Sequence, residues 1–360
     1  MPKINEIQKY IEEKNLSSFL FSSFSNIFYL SRFSSSNAYI LLTPKEKLFI
    51  TDFRYFEGAK EKLKDWKVIL LGKDNKEHLK HLQEILLEFG GKHIGFEKDK
   101  VSLSFYEKLT EKKELKERLI GFEGFINEFR MIKTEEEIEI IRKAVEKTDN
   151  IFSKIIEYIP KAKSELDIRR MIINYIFEEG GTGESFPAIV ASGKHSAIPH
   201  YETSDYPIEK NNLLLIDMGM KYKGYCSDFT RTIAINKVDK ELIKIYSIVK
   251  EAHLTAVETV KAGVKIKEID LAARKVIEKY GYGDYFIHST GHGIGIDIHE
   301  PPRISKNNEG FLEENTVFTI EPGIYIPGKG GVRLENVVVA RKNKGEVLTK
   351  TPLDLITIEG

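Results

Sequence analysis

The chain has one cysteine in 360 residues, Cys226. That excludes an intramolecular disulfide framework and fits a reducing compartment. It has no net charge either, since 55 Lys and Arg balance 55 Asp and Glu. The charges are interspersed, as in "KEKLKDWK" and "EKKELKER", so no basic face points to a nucleic acid. No apolar run approaches the ~18 residues of a membrane span. The opening "MPKINEIQKYIEEKN" is charged where a signal peptide would be apolar. No short-period repeat is visible. These absences predict a cytoplasmic protein with no membrane or nucleic-acid partner. What is present is 41% hydrophobic content, enough for a sizeable core, and a length that suggests two domains.

The two halves differ in texture. Residues 1–125 alternate helix-like and strand-like segments, the pattern of an α/β layer domain. "INEIQKYIEEK" sets Ile4, Ile7 and Ile11 on one helical face, and "SSFLFSS", "AYILLT", "KLFIT" and "KVILL" are β-rich runs. Trp66 and the aromatics of "FYEKL" read as core. Its histidines (His78, His81, His93) fall in no constellation. Residues 126–360 read as an α+β domain. It opens with a capping box, Thr134 followed by Glu137, and a helical stripe from Ile138 to Ile156 before Pro160. Strands cluster at about 186–235 and 315–340, separated by long helices at about 239–261 and 266–280.

Two segments read as hairpins that bring carboxylates together. "LLLIDMGMKYKGYCSDFTRTIAI" turns at Lys221–Gly224, which would set Asp217 opposite Asp228. "VFTIEPGIYIPGKGGVRLENVVVA" turns at Pro327–Lys329 and would set Glu321 opposite Glu335, with Pro322 a possible disturbance. Like charges facing each other on a sheet cost roughly 0.2–1 kcal/mol, and each hairpin follows an apolar run that implies burial. Buried paired carboxylates must be protonated, paired with cations or bound to metal. Two solvent-facing acids remain the plainer alternative for either hairpin alone.

"HSTGHGIGIDIHE" places histidines at 288, 292 and 299 and glycines at 291, 293 and 295. It is neither the dinucleotide G-x-G-x-x-G nor H-E-x-x-H. The glycines are read as allowing close approach and positive φ around a ligand. Four carboxylates and one imidazole make an oxygen-dominated set whose charge two divalent cations would neutralise. Mn²⁺ suits the oxygens, and the imidazole admits Co²⁺, Zn²⁺ or Fe²⁺. Two such ions can clamp a substrate oxygen, as in many hydrolases.

With those residues in view, the chain resembles the creatinase/prolidase/methionine aminopeptidase family of "pita-bread" metallopeptidases over nearly its whole length. The family's order of ligands falls on "IDMG", "YCSDFTRT", "HSTGHGIG", "TIEPGIY" and "GGVRLEN". The resemblance implies that Asp228 and Glu335 bridge two metals, that Asp217 binds one, and that His292 and Glu321 bind the other. The separate N-terminal domain argues against the methionine aminopeptidase branch. "ASGKHSAIPH", "HSTGHGIGIDIHEPPRI" and "EPGIYIPGKGGVRLEN" are most similar to Xaa-Pro aminopeptidases and prolidases. By that resemblance His200, His288 and His299 line the substrate side and Glu321 shuttles protons. Arg333 and Tyr325 would then contact substrate, a proline-containing peptide, in a homodimer. A creatine-type amidinohydrolase, which needs no metal, is disfavoured by the complete ligand set. A non-catalytic peptide-binding relative is the alternative of another class.

Other residues read more plainly. Cys226 is expected to point away from the acids and to be a buried, inert thiol. His195 reads as a loop residue of open role. His253 reads as a helix-surface or interhelical histidine.

Overall fold

The computed structural model describes residues 3–72 and 75–359. The chain forms two compact units that divide between Arg130 and Met131.

The first unit is built on a six-stranded mixed sheet. Its strand order is Lys67–Leu70, Lys47–Thr51, Ala38–Leu42, Ser18–Phe21, Ile94–Glu97, Leu119–Phe122. The three strands from Ser18 to Thr51 form an antiparallel meander, and the outer pairings are parallel. The helix Ile4–Glu13 buries Ile7 and Ile11 completely, as its spacing predicts. Leu20, Leu41, Leu48, Ile50, Leu86 and Ile94 make the core. Each fully buried aliphatic side chain contributes roughly 1.5–3 kcal/mol. Trp66 is only half-buried, edge-on to Phe49. Residues 126–130 pack with this unit because Phe129 O accepts from Tyr29 Oη–H at 3.1 Å and Arg130 donates to Asn26 at 2.7 Å.

The second unit has two larger sheets, each backed by a helix pair, and two small ones: a three-stranded sheet of Tyr225–Cys226, Met220–Tyr222 and Gly183–Glu184, and a ribbon of Gly323–Ile326 with Gly330–Arg333. The four-stranded sheet has the order Thr357–Ile358, Phe229–Ile235, Asn212–Met218, Ile189–Ser192. Helices Glu135–Tyr158 and Glu165–Glu178 cover it, with Phe152, Ile155, Ile168 and Ile172 packed against Leu214, Ile216, Phe229 and Ile233. The five-stranded sheet has the order Glu300–Ile304, Gly291–Gly293, Val317–Ile320, Asn336–Ala340, Gly345–Val347. Helices Lys240–Thr259 and Ile266–Lys279 back it through Val249, Ala252, Ile269 and Ala273, packed with Phe318, Ile320 and Val338. The capping box at Thr134 and Glu137 is present. His253 is not on a helix surface. It is completely buried in the stripe of Val249, Ala252 and Ala256. Burial pushes its pKa down to about 3, so it is a neutral core residue. Among the described residues, no helix is long and apolar enough to cross a membrane.

Candidate metal centre

The first hairpin turns on two residues rather than four. Tyr222 pairs with Tyr225 around Lys223 and Gly224, whose φ values of 49° and 82° fit the twist of a two-residue hairpin turn. The register therefore shifts by two, and Asp217 stands opposite Thr230 instead of Asp228. Side chains alternate with period two, so this shift leaves Asp228 on the same face as Asp217. Asp228 sits just before the strand Phe229–Ile235, where Gly219 passes so close to Ser227 that a Cβ would lie 2.1 Å from its carbonyl oxygen.

The second hairpin keeps its expected register. Ile326 pairs with Gly330, and beyond the break at Pro322 Ile320 pairs with Asn336. Proline removes a ladder bond without changing the offset, so Glu321 and Glu335 stand opposite. Backbone bonds stitch the pieces together: Glu335 N–H donates to Thr230 O at 3.1 Å and Glu321 N–H to Thr290 O at 2.7 Å. Gly291 and Gly293 make the His292 strand possible. A Cβ on them would lie 1.9 Å from Thr319 O and 2.2 Å from Pro301 O. None of the glycines at 291, 293 and 295 has a positive φ, so the close approach is to neighbouring backbone and side chain and the positive-φ expectation is corrected.

Asp217, Asp228, His292, Glu321 and Glu335 all line one cavity of about 970 Å³, with His200, His288, His299 and Arg333. Asp228, His292 and Glu335 each offer a donor atom within 4.8 Å of the others. His292 Nε2 lies 3.5 Å from both Asp228 Oδ2 and Glu321 Oε1. Its Nδ1–H donates to Gly293 O at 3.1 Å, which leaves the Nε2 lone pair aimed at the acids. Burial, then His299, pushes the His292 pKa down to about 4, so the ring is neutral. A neutral nitrogen facing carboxylate oxygens has no proton to share at neutral pH unless an acid holds one.

The acids show the same frustration. Burial, then Glu335, Asp217 and Glu321, raises Asp228 well above the carboxylate range. Burial, then Glu335, raises Glu321 likewise. Glu335 is pushed up to about 8 by burial and by Asp217. Asp217 Oδ1 and Glu335 Oε1 are buried with no hydrogen-bond partner. Orphaned carboxyl oxygens lining one cavity with a neutral imidazole are the donor set a divalent cation completes, displacing the protons the acids otherwise hold.

Around this set stands a fixed polar frame. Arg333 donates to Asp217 Oδ2 at 2.6 Å, Tyr325 Oη at 2.9 Å, Thr230 Oγ1 at 3.3 Å and Pro199 O at 3.4 Å. Against the cost of burial, Tyr325, Asp217 and Glu321 hold its guanidinium charged. Tyr325 is 3% exposed and does not line the cavity, contrary to its expected substrate contact. Its hydroxyl accepts from Arg333 and meets His288 Nε2 at 2.8 Å. His288 Nδ1–H donates to Ser289 O at 2.8 Å, so the Tyr325 hydroxyl donates to Nε2. Burial, then Arg333, holds His288 neutral with a pKa of about 4. His299 is edge-on to His292 at 4.3 Å and open to the cavity, its pKa lowered by burial and then by His200.

Several residues here were not singled out from the sequence. Thr230 Oγ1 donates to Glu335 Oε2 at 2.7 Å, and its position two beyond Asp228 carried the signal. Asp270 and Arg274 clamp the His288 segment, Arg274 donating to Phe286 O and His288 O at 2.9 Å and Asp270 accepting from Thr290 N–H at 3.0 Å. Their i, i+4 spacing was legible, but not their target. Cys226 is buried, its thiol pushed up to about 12 by burial.

Residues 139–342 match the family model for "Metallopeptidase family M24", and residues 3–132 match that for the "Creatinase/Prolidase N-terminal domain". A protein of Pyrococcus furiosus named Xaa-Pro dipeptidase is 38% identical over 98% of this chain and 99% of its own. Among solved structures, an Xaa-Pro dipeptidase from Bacillus anthracis superposes with a TM-score of 0.93 at 35% identity over 99% of both chains. An X-Pro aminopeptidase from Thermotoga maritima gives 0.89 at 35% identity, over 97% of this chain and all of that one. The site described above and these matches together make the chain a pita-bread enzyme with a creatinase-type N-terminal domain, a member of metallopeptidase family M24.

Proposed function

We propose that this metallopeptidase hydrolyses the bond between an N-terminal residue and proline, releasing that residue from the peptide. The observation that carries the reading is the cavity itself: four carboxylates, three of them with raised pKa values, meet a neutral imidazole beside a buried arginine. The names of the Pyrococcus, Bacillus and Thermotoga relatives support proline before any other specificity.

Asp217, Asp228, His292, Glu321 and Glu335 would hold two divalent ions, with Asp228 and Glu335 shared between them. Mn²⁺ suits so many carboxylate oxygens best, and Co²⁺, Zn²⁺ or Fe²⁺ are the alternatives. When bound, such ions supply Lewis-acid polarisation of the scissile carbonyl and lower the pKa of water at neutral pH. The chain's own groups do the rest. His299, open to the cavity, donates an N–H toward the oxygen where negative charge develops. Glu321, at the cavity wall, takes the proton that the attacking water gives up and returns it to the departing nitrogen. His200, at the cavity wall, orients the substrate backbone. The chain Arg333–Tyr325–His288 fixes the floor on which the peptide rests. We assign all of these roles to residues 126–360 and give residues 1–125 a covering or dimerising role in a cytoplasmic homodimer.

A dipeptide-only reading is favoured by one observation. Arg303 is an exposed cation lining the same cavity, suited to a free proline carboxylate. The deciding experiment offers Ala-Pro and Ala-Pro-Ala-Ala separately to Mn²⁺-loaded protein, read by mass spectrometry, with Asp228→Asn as control. Cleavage of the tetrapeptide only between Ala and Pro, lost in the variant, establishes the aminopeptidase. Cleavage of the dipeptide alone makes it a dipeptidase. Cleavage of neither, with metal bound, overturns the proline reading.

A further inference from the structure

His200 is exposed at the cavity wall, so its ring is placed by the backbone that carries it. That backbone is held from outside the cavity by one carboxylate. Glu165, the first residue of helix Glu165–Glu178, is 0% exposed. It accepts from Ser192 N–H at 2.8 Å, His195 Nδ1–H at 3.1 Å, Tyr201 Oη–H at 2.9 Å, and Ser204 N–H and Oγ–H at 3.4 Å. These donors lie on both sides of His200. The His195 ring is packed between Tyr201 and Tyr206, with centroids 4.4 and 4.2 Å away.

The far side of the same segment touches the substrate frame. Ser196 Oγ accepts from Gly331 N–H at 2.8 Å and donates to Gly193 O at 2.6 Å. Pro199 O accepts from Arg333 at 3.4 Å. Gly193 has a φ of 59°, and a Cβ there would lie 2.2 Å from the Glu209 carboxylate, so the turn that starts the segment needs glycine. Bonds to an ionised acceptor are stronger than neutral ones, and a buried carboxylate this fully used leaves the segment little freedom.

We propose that Glu165 and His195 are positioning residues, a latch that fixes residues 192–204 and thereby sets His200 at the cavity and the Pro199 carbonyl against Arg333. The kinetic half of this proposal rests on the peptidase reading above; the structural half does not. It gives His195, a loop residue by sequence, a specific task.

The test uses the full-length, Mn²⁺-loaded protein with Glu165→Gln and His195→Phe. The second keeps an aromatic ring between the tyrosines and removes the Nδ1–H that reaches Glu165, so it decides the matter if the first does not fold. Hydrogen exchange is expected to accelerate within residues 193–204 in both variants, with metal content unchanged. On Ala-Pro-Ala-Ala, kcat/KM is expected to fall roughly tenfold, carried mainly by KM. In a His200→Ala background the same substitutions are expected to cost less than about twofold, because the group they position is gone. An undiminished cost in that background overturns the link to His200. Unchanged exchange in 193–204 overturns the latch. If the unmodified protein cleaves neither proline peptide, the peptidase reading fails, and the exchange result alone still upholds or overturns the latch.

Discussion

Metal-free protein should lose stability as pH rises through neutrality, and metal should reverse the sign. Glu335 has an ordinary carboxyl value of 4.5 and is pushed up to about 8 in the fold, first by burial and then by Asp217. A group whose folded pKa is raised contributes stability that is complete below its unfolded pKa and is lost as pH climbs through the folded one. Between pH 7 and 8 the folded Glu335 goes from mostly to half protonated, while the unfolded one is already ionised. At 1.36 kcal/mol per pKa unit, that removes about 1 kcal/mol. Asp228 and Glu321 are also raised and act with the same sign. The buried histidines oppose them. His253, His288 and His292 are depressed, to about 3, 4 and 4, from 6.5. Their contribution is present above the unfolded value and lost as pH falls through the folded ones, so above pH 7 little of it remains to be gained, about a few tenths of a kcal/mol. The carboxylates therefore decide the window, and the melting temperature of chelator-treated protein should fall by roughly 1–2 °C from pH 7 to pH 8 by differential scanning calorimetry. With saturating Mn²⁺ the ligands are held ionised, and the melting temperature should instead rise with pH, as proton competition weakens. Glu335→Gln should flatten the metal-free slope. A metal-free protein that is more stable at pH 8 than at pH 7 would show that the acids are ionised without a cation, and the reasoning about the centre would fall.

Thr230→Val removes the proton donated to Glu335 Oε2 and the acceptor used by Arg333. Titration calorimetry should show metal affinity lower by roughly 10–100-fold, with Thr230→Ser close to the parent. Arg333→Lys keeps the charge but cannot reach Asp217, Tyr325 and Pro199 together. Its kcat/KM on the cleaved peptide should fall by about 100-fold, and an effect under threefold would dismiss the multidentate frame. Cys226, buried with its thiol pushed up to about 12, should resist a thiol-specific chromogenic reagent in native protein and react once denatured.

The ligands were legible because hairpins convert sequence spacing into faces. The spacing puts Asp217 and Asp228 on one face through a four-residue turn, and the turn is Lys223–Gly224 instead. The error of two left the face unchanged, whereas an error of one would have sent Asp228 outward. His253 shows the reverse. The sequence leaves His253 on a helix surface or between helices, and the stripe Val249, Ala252, His253, Ala256 at helical spacing is what decides for burial. The supports were hidden for another reason. Glu165 meets His195 and Tyr201 across 30 and 36 residues, and Arg274 meets the His288 carbonyl across 14. Such pairs become neighbours only after the sheets and helices have packed, so no local pattern announces them.

Tyr325 marks where face assignment stops being enough. Four residues beyond Glu321 on a ribbon, it was expected to project with Glu321 toward substrate. The ribbon itself explains why it does not. Tyr325 pairs with Gly331, and Gly323 pairs with Arg333. A Cβ on Gly323 would lie 2.5 Å from the Tyr325 hydroxyl oxygen, and one on Gly331 would lie 2.8 Å from its ring. The absence of those two side chains lets the ring fold down along its own ribbon, where its hydroxyl reaches Arg333 and His288 rather than the cavity. Alternation along a strand chooses the face, and the size of the neighbours then chooses the direction across it. "EPGIY" and "KGGVR" therefore carry the instruction jointly: the glycines make the space, and the tyrosine uses it to hold the arginine that holds Asp217.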